Sequence, residues 1–373
     1  MTRIEIDAIA SGGDGIGRLD GKAVFVTGAI PGDVVDVEIV TDKPRFARAQ
    51  IREMVQPSQV RVPMPCPHAA ECGGCTWQMV PRTVQAAWKH QAVSDALERI
   101  GRVDSVPLRS ILTPGPDFGY RNRIDLHRDE RGPGFHRAGS HDVVPIDLCL
   151  LASPAVGALI DEVRRRPVAG ELTLRAGVRT GEAVIIGTGH ARPSEAVITE
   201  VVGGVRFQVS GRAFFQPNTD GADTLVDLAR EAAGVGDRLI DAYAGVGLFA
   251  GTIGDRFGHV VAIELSKRAV GDLRRNVPYA EVIARSTVAG LRSLDGPVDV
   301  LVVDPPRDGL GADTVAEIVR LRPPVVVSVS CDAGTFARDA RQLIDGGYRL
   351  DWIQPIDQFP HTPHIETVSR FVR

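Results

Sequence analysis

From about residue 218 onward the chain alternates between two textures, and that alternation limits the fold more than any other feature. Apolar, β-branched runs ("DRLIDAYA", "HVVAIEL", "AEVIA", "VDVLVVD", "PVVVSVS", "YRLDWIQP" and "ETVSRFVR") are separated by segments with helical patterning, the first of them expected over 219–233. The runs are too continuous for strands with one wet face. They belong to a mostly parallel sheet with helices on both sides. The pattern predicts seven strands and an α/β, Rossmann-like unit. In such sheets ligands bind beyond the carboxyl ends of the strands. Asp241, Glu264, Asp304 and Cys331 sit at those ends.

The first 60 residues read as all-β. "AVFVTGAIPGDVVDVEIV" gives two strands around a Pro-Gly turn, and "FARAQIREMV" gives another, which predicts a small OB-like barrel over 1–60. The Pro-rich "PSQVRVPMPCP" marks a boundary. A helix is expected over roughly 82–100, with Val84, Ala87, Trp88, Ala92, Ala96, Leu97 and Ile100 on its apolar face. Residues 105–210 mix strands and loops, including a hairpin turning at Thr180-Gly181. The expected division is a barrel over 1–60, an α+β domain over 61–215 and the α/β domain over 216–373.

With 373 residues, 43% hydrophobic, the chain is long enough for several cores, and no apolar run approaches the roughly 18 residues of a membrane span. The N-terminal "MTRIEIDAIASGGDG" has no signal-peptide pattern, so a cytoplasmic protein, expected as a monomer, is the reading. A net charge of -4 argues against bulk electrostatic binding of nucleic acid. A local basic face remains open, and Arg99, Arg102, Arg109, Arg121, Arg123, Arg128, Arg131 and Arg137 are its candidates.

Several short motifs carry chemistry. In "DAYAGVGLFA", Gly245 and Gly247 lie between a strand and a helix, where a tight turn lets backbone approach a ligand. Glu264 ends the next strand, placed to accept from ribose hydroxyls, so a nucleoside cofactor is expected. Ala250 also fits the looser dinucleotide fingerprint, so the motif alone leaves NAD open. In "VDVLVVDPPRDGL" two prolines stiffen the exit after Asp304. In "SVSCDAGT", Cys331 precedes a helix whose N-terminal N–H groups favour a thiolate, with Asp332 or Thr335 as the cap. "QFPHTPHIETV" packs His361, His364 and Glu366 into one loop, which suits a carboxylate proton acceptor better than a metal site. Phe214 and Gln216 in "FFQPN" pair an aromatic face with an amide that can read a base edge. The chain has five cysteines, an odd number that argues against a disulfide framework. Cys66, Cys72 and Cys75, with Cys149 as a fourth, suit an iron–sulfur cluster or zinc.

Together these stretches resemble, in order and over nearly the whole chain, the RNA uracil-5 methyltransferases, which make 5-methyluridine in tRNA or 23S rRNA. The resemblance implies that residues 1–60 form a TRAM barrel and that Cys66, Cys72, Cys75 and Cys149 hold a [4Fe–4S] cluster. It also implies that S-adenosylmethionine is the cofactor, contacted by Gln216, Asp241, Tyr243, Gly245, Gly247, Glu264 and Asp304. Cys331 becomes the nucleophile that adds to uracil carbon 6, and Glu366 the base that removes the carbon 5 proton. Phe214, Gln216 and Asp304 hold the uracil, which is extruded from its RNA. RNA is the implied partner, with 23S rRNA favoured over tRNA. Two departures stand out. Asp332 and Gly334 follow the cysteine where the family usually has Asn and Pro, and "AEVIARSTVAG" lacks an acid for the adenine, leaving Ser286 or Thr287. The rival readings are an RNA cytosine-5 methyltransferase, a base amino-group methyltransferase and a non-catalytic iron–sulfur RNA-binding protein. "DPPR" lacks the second cysteine of the first rival, and the second needs neither Cys331 nor Glu366.

Overall fold

The computed structural model describes residues 2–165, 170–187, 189, 191–192 and 196–373. Strands β1 (Thr2–Ile9), β2 (Gly15–Leu19), β3 (Lys22–Thr27), β4 (Val34–Asp42) and β5 (Phe46–Gln56) close a barrel in the order β1-β2-β3-β5-β4. Alternation sends Ile4, Ile6, Val24, Val26, Val35, Val37, Ala47 and Ala49 inward, as a strand period of two requires. Asp33 locks the barrel to the chain that leaves it. Its fully buried carboxylate accepts from Ile30 N and Ser58 N, both at 2.8 Å, and from the Arg61 guanidinium at 2.6 and 2.8 Å.

Helix α1 (Arg82–Ala96) follows and ends in a π-turn, Leu97–Gly101. Its buried residues are Gln85, Ala86, Lys89 and Val93. The expected apolar face is therefore displaced: Ile100 is 49% exposed, while Lys89 is 1% exposed. Gln85 and Lys89 turn inward because both bond to a distant loop around residues 357–361.

The central sheet comprises β6 (Arg123–Asp129), β7 (Gly132–His136), β8 (Val143–Pro145), β9 (Leu172–Ala176) and β10 (Ala183–Gly187), in the order β10-β9-β6-β7-β8. Helix α2 (Pro154–Arg165) covers it with Val156, Ile160 and Val163. The hairpin turning at Gly181, between β9 and β10, is present as expected. A second hairpin, β11 (Val197–Val202) and β12 (Val205–Ser210), packs Ile198, Phe207 and Val209 into the core of the following sheet.

That sheet has seven strands: β13 (Gly236–Ala242), β14 (Phe257–Ile263), β15 (Glu281–Ile283), β16 (Val300–Val303), β17 (Val325–Ser330), β18 (Arg349–Ile356) and β19 (Glu366–Val372). Their order is β15-β14-β13-β16-β17-β19-β18, with β19 antiparallel to both neighbours and the other pairs parallel. Helices α3 (Thr219–Ala233), α4 (Leu248–Ile253), α5 (Lys267–Asn276), α6 (Thr287–Arg292), α7 (Gly311–Leu321) and α8 (Ala333–Asp345) accompany it. Two separate cores, one on each face, explain the continuous apolar runs. Among the described residues no helix is long and apolar enough to cross a membrane.

Burial alone would raise the Asp33 carboxyl, but Arg61 and the N–H groups of Ser58 and Ile30 outweigh it and hold it below 3.8. A depressed folded value means the stabilisation is present above the unfolded value and is lost as pH falls through the folded one. Asp33→Ala also strands Arg61, so it should destabilise the barrel by roughly 3 kcal/mol. Urea unfolding at pH 7 and pH 3 should show a large difference between variant and wild type at neutral pH and a smaller one in acid.

Candidate active site

The carboxyl ends of β13, β14, β16 and β17 open into a cavity of about 1090 Å³. Tyr243, Gly245, Glu264, Asp304, Cys331 and Glu366 line it from the sheet, and Phe214 and Gln216 line it from the segment before α3. Asp241 and Gly247 do not line it; they build the turn from beneath. Asp241 is fully buried and its Oδ2 accepts from Ala250 N at 2.8 Å, which fixes the start of α4. Its Oδ1 has no partner, and burial pushes its pKa up to about 7. Gly247 has φ +97, and a Cβ there would lie 2.7 Å from Val277 Cγ2, so only glycine fits. Glu264 Oε2 accepts from Gly245 N at 2.8 Å and Oε1 from Ser266 N at 2.7 Å. Each oxygen keeps one lone pair for a ligand hydroxyl. The turn, the acid and the volume fit a nucleoside cofactor. Ser286 is occupied as the cap of α6, its Oγ accepting from Ala289 N at 3.4 Å, and neither it nor Thr287 lines the cavity.

The reacting end is crowded with acids. Burial pushes Asp304 up to about 7. Burial, then the Asp304 charge, raises Glu366 well above the carboxylate range, with Arg307 opposing. Burial, then Glu366 and Asp304, pushes the Cys331 thiol up to about 12, again against Arg307. The expectation of a ready thiolate is therefore corrected for the ligand-free protein. Asp332 caps α8 as expected, its Oδ1 accepting from Thr335 N at 2.8 Å. His364, at 3.3 Å from the Arg307 guanidinium, is pushed down to about 4 by burial and then by the cations Arg307, Arg121 and Lys89, so it is neutral. His361 faces the other way and stacks on Phe118 at 4.3 Å.

An amide relay fixes Gln216. Its Oε1 accepts from Gln358 Nε2 at 2.9 Å, and its Nε2 reaches Asp304 Oδ2 at 3.5 Å. Phe214 beside it is 66% exposed, a free aromatic face at the cavity mouth. Arg307 could have been found from "DPPRDG", one residue beyond the prolines. Gln358, Lys267 and Arg268 carried no local signal.

Cys66, Cys72, Cys75 and Cys149 line a second, small cavity of about 60 Å³, with Arg121, Ile124, Phe135 and Ile146. Burial raises Cys72 and Cys149 and pushes Cys75 up to about 12, and neighbouring sulfurs of the same set add to each shift. Among the described residues no three His, Cys, Asp or Glu side chains are gathered as a metal-binding group. The four thiols are neighbours around a space rather than a preassembled ion site. The arginine-rich stretch is partly neutralised by its own carboxylates. Arg99, Arg109, Arg123, Arg131 and Arg137 each pair with a carboxylate. Arg121 lines both cavities.

Comparisons with known proteins agree with this architecture. A TRAM domain matches residues 2–51, and the tRNA (Uracil-5-)-methyltransferase family matches residues 284–371. An uncharacterised RNA methyltransferase of Gloeobacter violaceus is 32% identical, over 99% of this chain and 96% of its own. Another, of Thermosynechococcus vestitus, is 31% identical over 98% and 96%. The crystal structure of the Pyrococcus abyssi tRNA (uracil-54, C5)-methyltransferase with S-adenosyl-L-homocysteine superposes with a TM-score of 0.80 at 28% identity, covering 100% of both chains. The barrel, the sheet and its edge cavity thus define an S-adenosylmethionine-dependent RNA methyltransferase. The chain belongs to the RNA uracil-5-methyltransferase family.

A thiol near 12 is almost wholly protonated at pH 8. In the ligand-free enzyme, iodoacetamide should label the Cys331 peptide slowly, with a rate that climbs about tenfold per pH unit through pH 10. Mass spectrometry of that peptide checks this; a rate that levels off below pH 9 would mean the thiol is activated before substrate arrives.

Proposed function

We propose that this enzyme methylates carbon 5 of one uridine in a structured RNA through a covalent bond between Cys331 and carbon 6. The observation that carries the reading is that Cys331, Glu366, Asp304 and the Gly245 turn all face one cavity. Phe214 stacks on the extruded base, and Gln216 and Asp304 hold its edge. Cys331 gives up its proton to solvent water at the cavity mouth as sulfur bonds to carbon 6, and Arg307 is the cation that favours the thiolate at that moment. Bound S-adenosylmethionine would supply the electrophilic methyl group, and its sulfonium charge would favour the ionised forms of the acids around it. The surroundings that raise the proton affinity of Glu366 make its carboxylate a strong acceptor for the carbon 5 proton. As that proton leaves, the carbon 5–carbon 6 double bond re-forms and the sulfur departs.

Cys331→Ala should abolish the gel-stable adduct with RNA containing 5-fluorouridine, whose fluorine cannot leave as a proton. Glu366→Gln should form the adduct on ordinary RNA and release it poorly. An adduct persisting in Cys331→Ala, or normal turnover in Glu366→Gln, would refute the assigned roles. The sequence favours 23S rRNA, whereas the matching family and the Pyrococcus enzyme are named for tRNA. Mass-spectrometric mapping of 5-methyluridine in both RNAs from a deletion strain decides between them.

Cys66, Cys72, Cys75 and Cys149 would hold a [4Fe–4S] cluster, which would cross-link the loop before α1 to the segment before α2. Anaerobically purified protein should be brown and carry about four irons and four sulfides per chain. Stoichiometric zinc without sulfide would replace the cluster with a zinc site.

A further inference from the structure

The loop between β18 and β19, residues 357–365, delivers Glu366 and is held largely from outside its own sheet. Lys89 donates to Asp357 and, at 3.0 Å, to Phe359 O. Gln85 Oε1 accepts from His361 N at 2.7 Å, and the Tyr120 hydroxyl donates to Pro360 O at 3.1 Å. His361 is a bulky residue with φ +67, and its Nε2 is buried without a partner. A left-handed non-glycine residue is strained and persists where its surroundings over-determine it. The loop is therefore set in place rather than relaxed.

Trp77 is where three parts of the chain meet. It is buried, and its backbone N–H donates to His361 O at 3.1 Å. Its indole Nε1 donates to Gly13 O at 3.1 Å, in the turn between β1 and β2 of the barrel. Gly13 has φ +94, and a Cβ there would lie 3.0 Å from Pro363 Cγ, with Trp77 Nε1 at 3.4 Å. The barrel tip thus rests against the catalytic loop three residues before Glu366, with Trp77 as the bolt.

We infer that Trp77 is a positioning residue for the proton acceptor: it seats the barrel tip against Pro363 and His361, and that seating sets where Glu366 stands over the substrate. The barrel, on this inference, contributes to proton removal as well as to holding RNA. The inference rests on Glu366 being the base. Glu366 is needed to remove the carbon 5 proton but not for the sulfur to add, so displacement of the loop acts on adduct decay more than on adduct formation.

The test uses full-length Trp77→Phe, Gly13→Ala and Glu366→Gln with wild type. Trp77→Phe removes the indole N–H while keeping an aromatic ring beside Trp88, whose centroid is 5.5 Å away. Gly13→Ala drives a methyl into Pro363 and to within 3.4 Å of the Trp77 indole nitrogen, at a φ of +94 that strains any side chain, and it keeps the Trp77 side chain and the cysteines. Single-turnover rapid-quench gels with excess enzyme and ordinary uridine RNA give the formation and decay of the adduct. RNA affinity, cofactor affinity and iron content are measured on the same preparations. In Trp77→Phe and Gly13→Ala, decay should slow by about tenfold while formation and both affinities stay within about twofold, the scale of a small misplacement of a catalytic group. If Trp77→Phe does not fold or loses iron, Gly13→Ala decides alone. Wild-type decay in the variants, equal slowing of formation and decay, or a loss confined to RNA affinity would each overturn the positioning role. Normal decay in Glu366→Gln would instead overturn the underlying assignment of the base, so the two failures are distinguishable.

Discussion

A buried ammonium against a buried carboxylate joins the middle of this chain to its catalytic end. Lys89 on α1 meets Asp357 at the end of β18, and neither side chain is exposed. Burial pushes the Lys89 pKa down, while Asp357 opposes. Removing Asp357 would leave the buried ammonium without a counter-charge, a loss of roughly 3–5 kcal/mol, whereas Asp357 without Lys89 would keep Arg82 at 3.5 Å. That magnitude makes the pair a specifier of register more than a source of net stability. Gln85 on the same helix, and Trp77 and Tyr120 on the segments before and after it, bond to the same loop. The position of Glu366 follows from that loop.

This dependence explains which parts of the structure were legible in the sequence. The seven strands, the barrel and α3 were readable, because each repeats a period that burial imposes locally. The cavity residues Gly245, Glu264, Asp304 and Cys331 were readable because a parallel sheet places functional groups at its carboxyl edge. The buried face of α1 was not. Apolar periodicity pointed to Val84, Ala87 and Trp88, but Gln85 and Lys89 are inside because their partners lie 276 and 268 residues away. Polar burial is decided by such distant partners, and no local pattern announces them. Gln358 escaped notice for the same reason: its value lies in orienting Gln216, 142 residues earlier. The arginine-rich stretch shows the same limit, since counting cations along a chain does not show the carboxylates that fold back onto Arg99, Arg109, Arg123, Arg131 and Arg137.

The site's electrostatics separate two demands that a single charge state would set in conflict. A free thiolate and a free carboxylate side by side would repel, and an exposed thiolate would invite oxidation. Here Asp304, Glu366 and Cys331 all bind protons more tightly than usual because they share one desolvated pocket, with Arg307 opposing the shift at Glu366 and Cys331. The thiol is thereby kept protonated near neutral pH. The proposed chemistry needs the opposite: a sulfur without its proton at the first step and a carboxylate without its proton at the last. On the proposed function, the sulfonium charge of a cofactor at the Gly245 turn would act against the desolvation that raises these groups and would shift them toward their ionised forms. Activation is thereby tied to occupancy of the cavity. On the proposed function, the high proton affinity of Glu366 is the property that would suit it, once ionised, to take the carbon 5 proton.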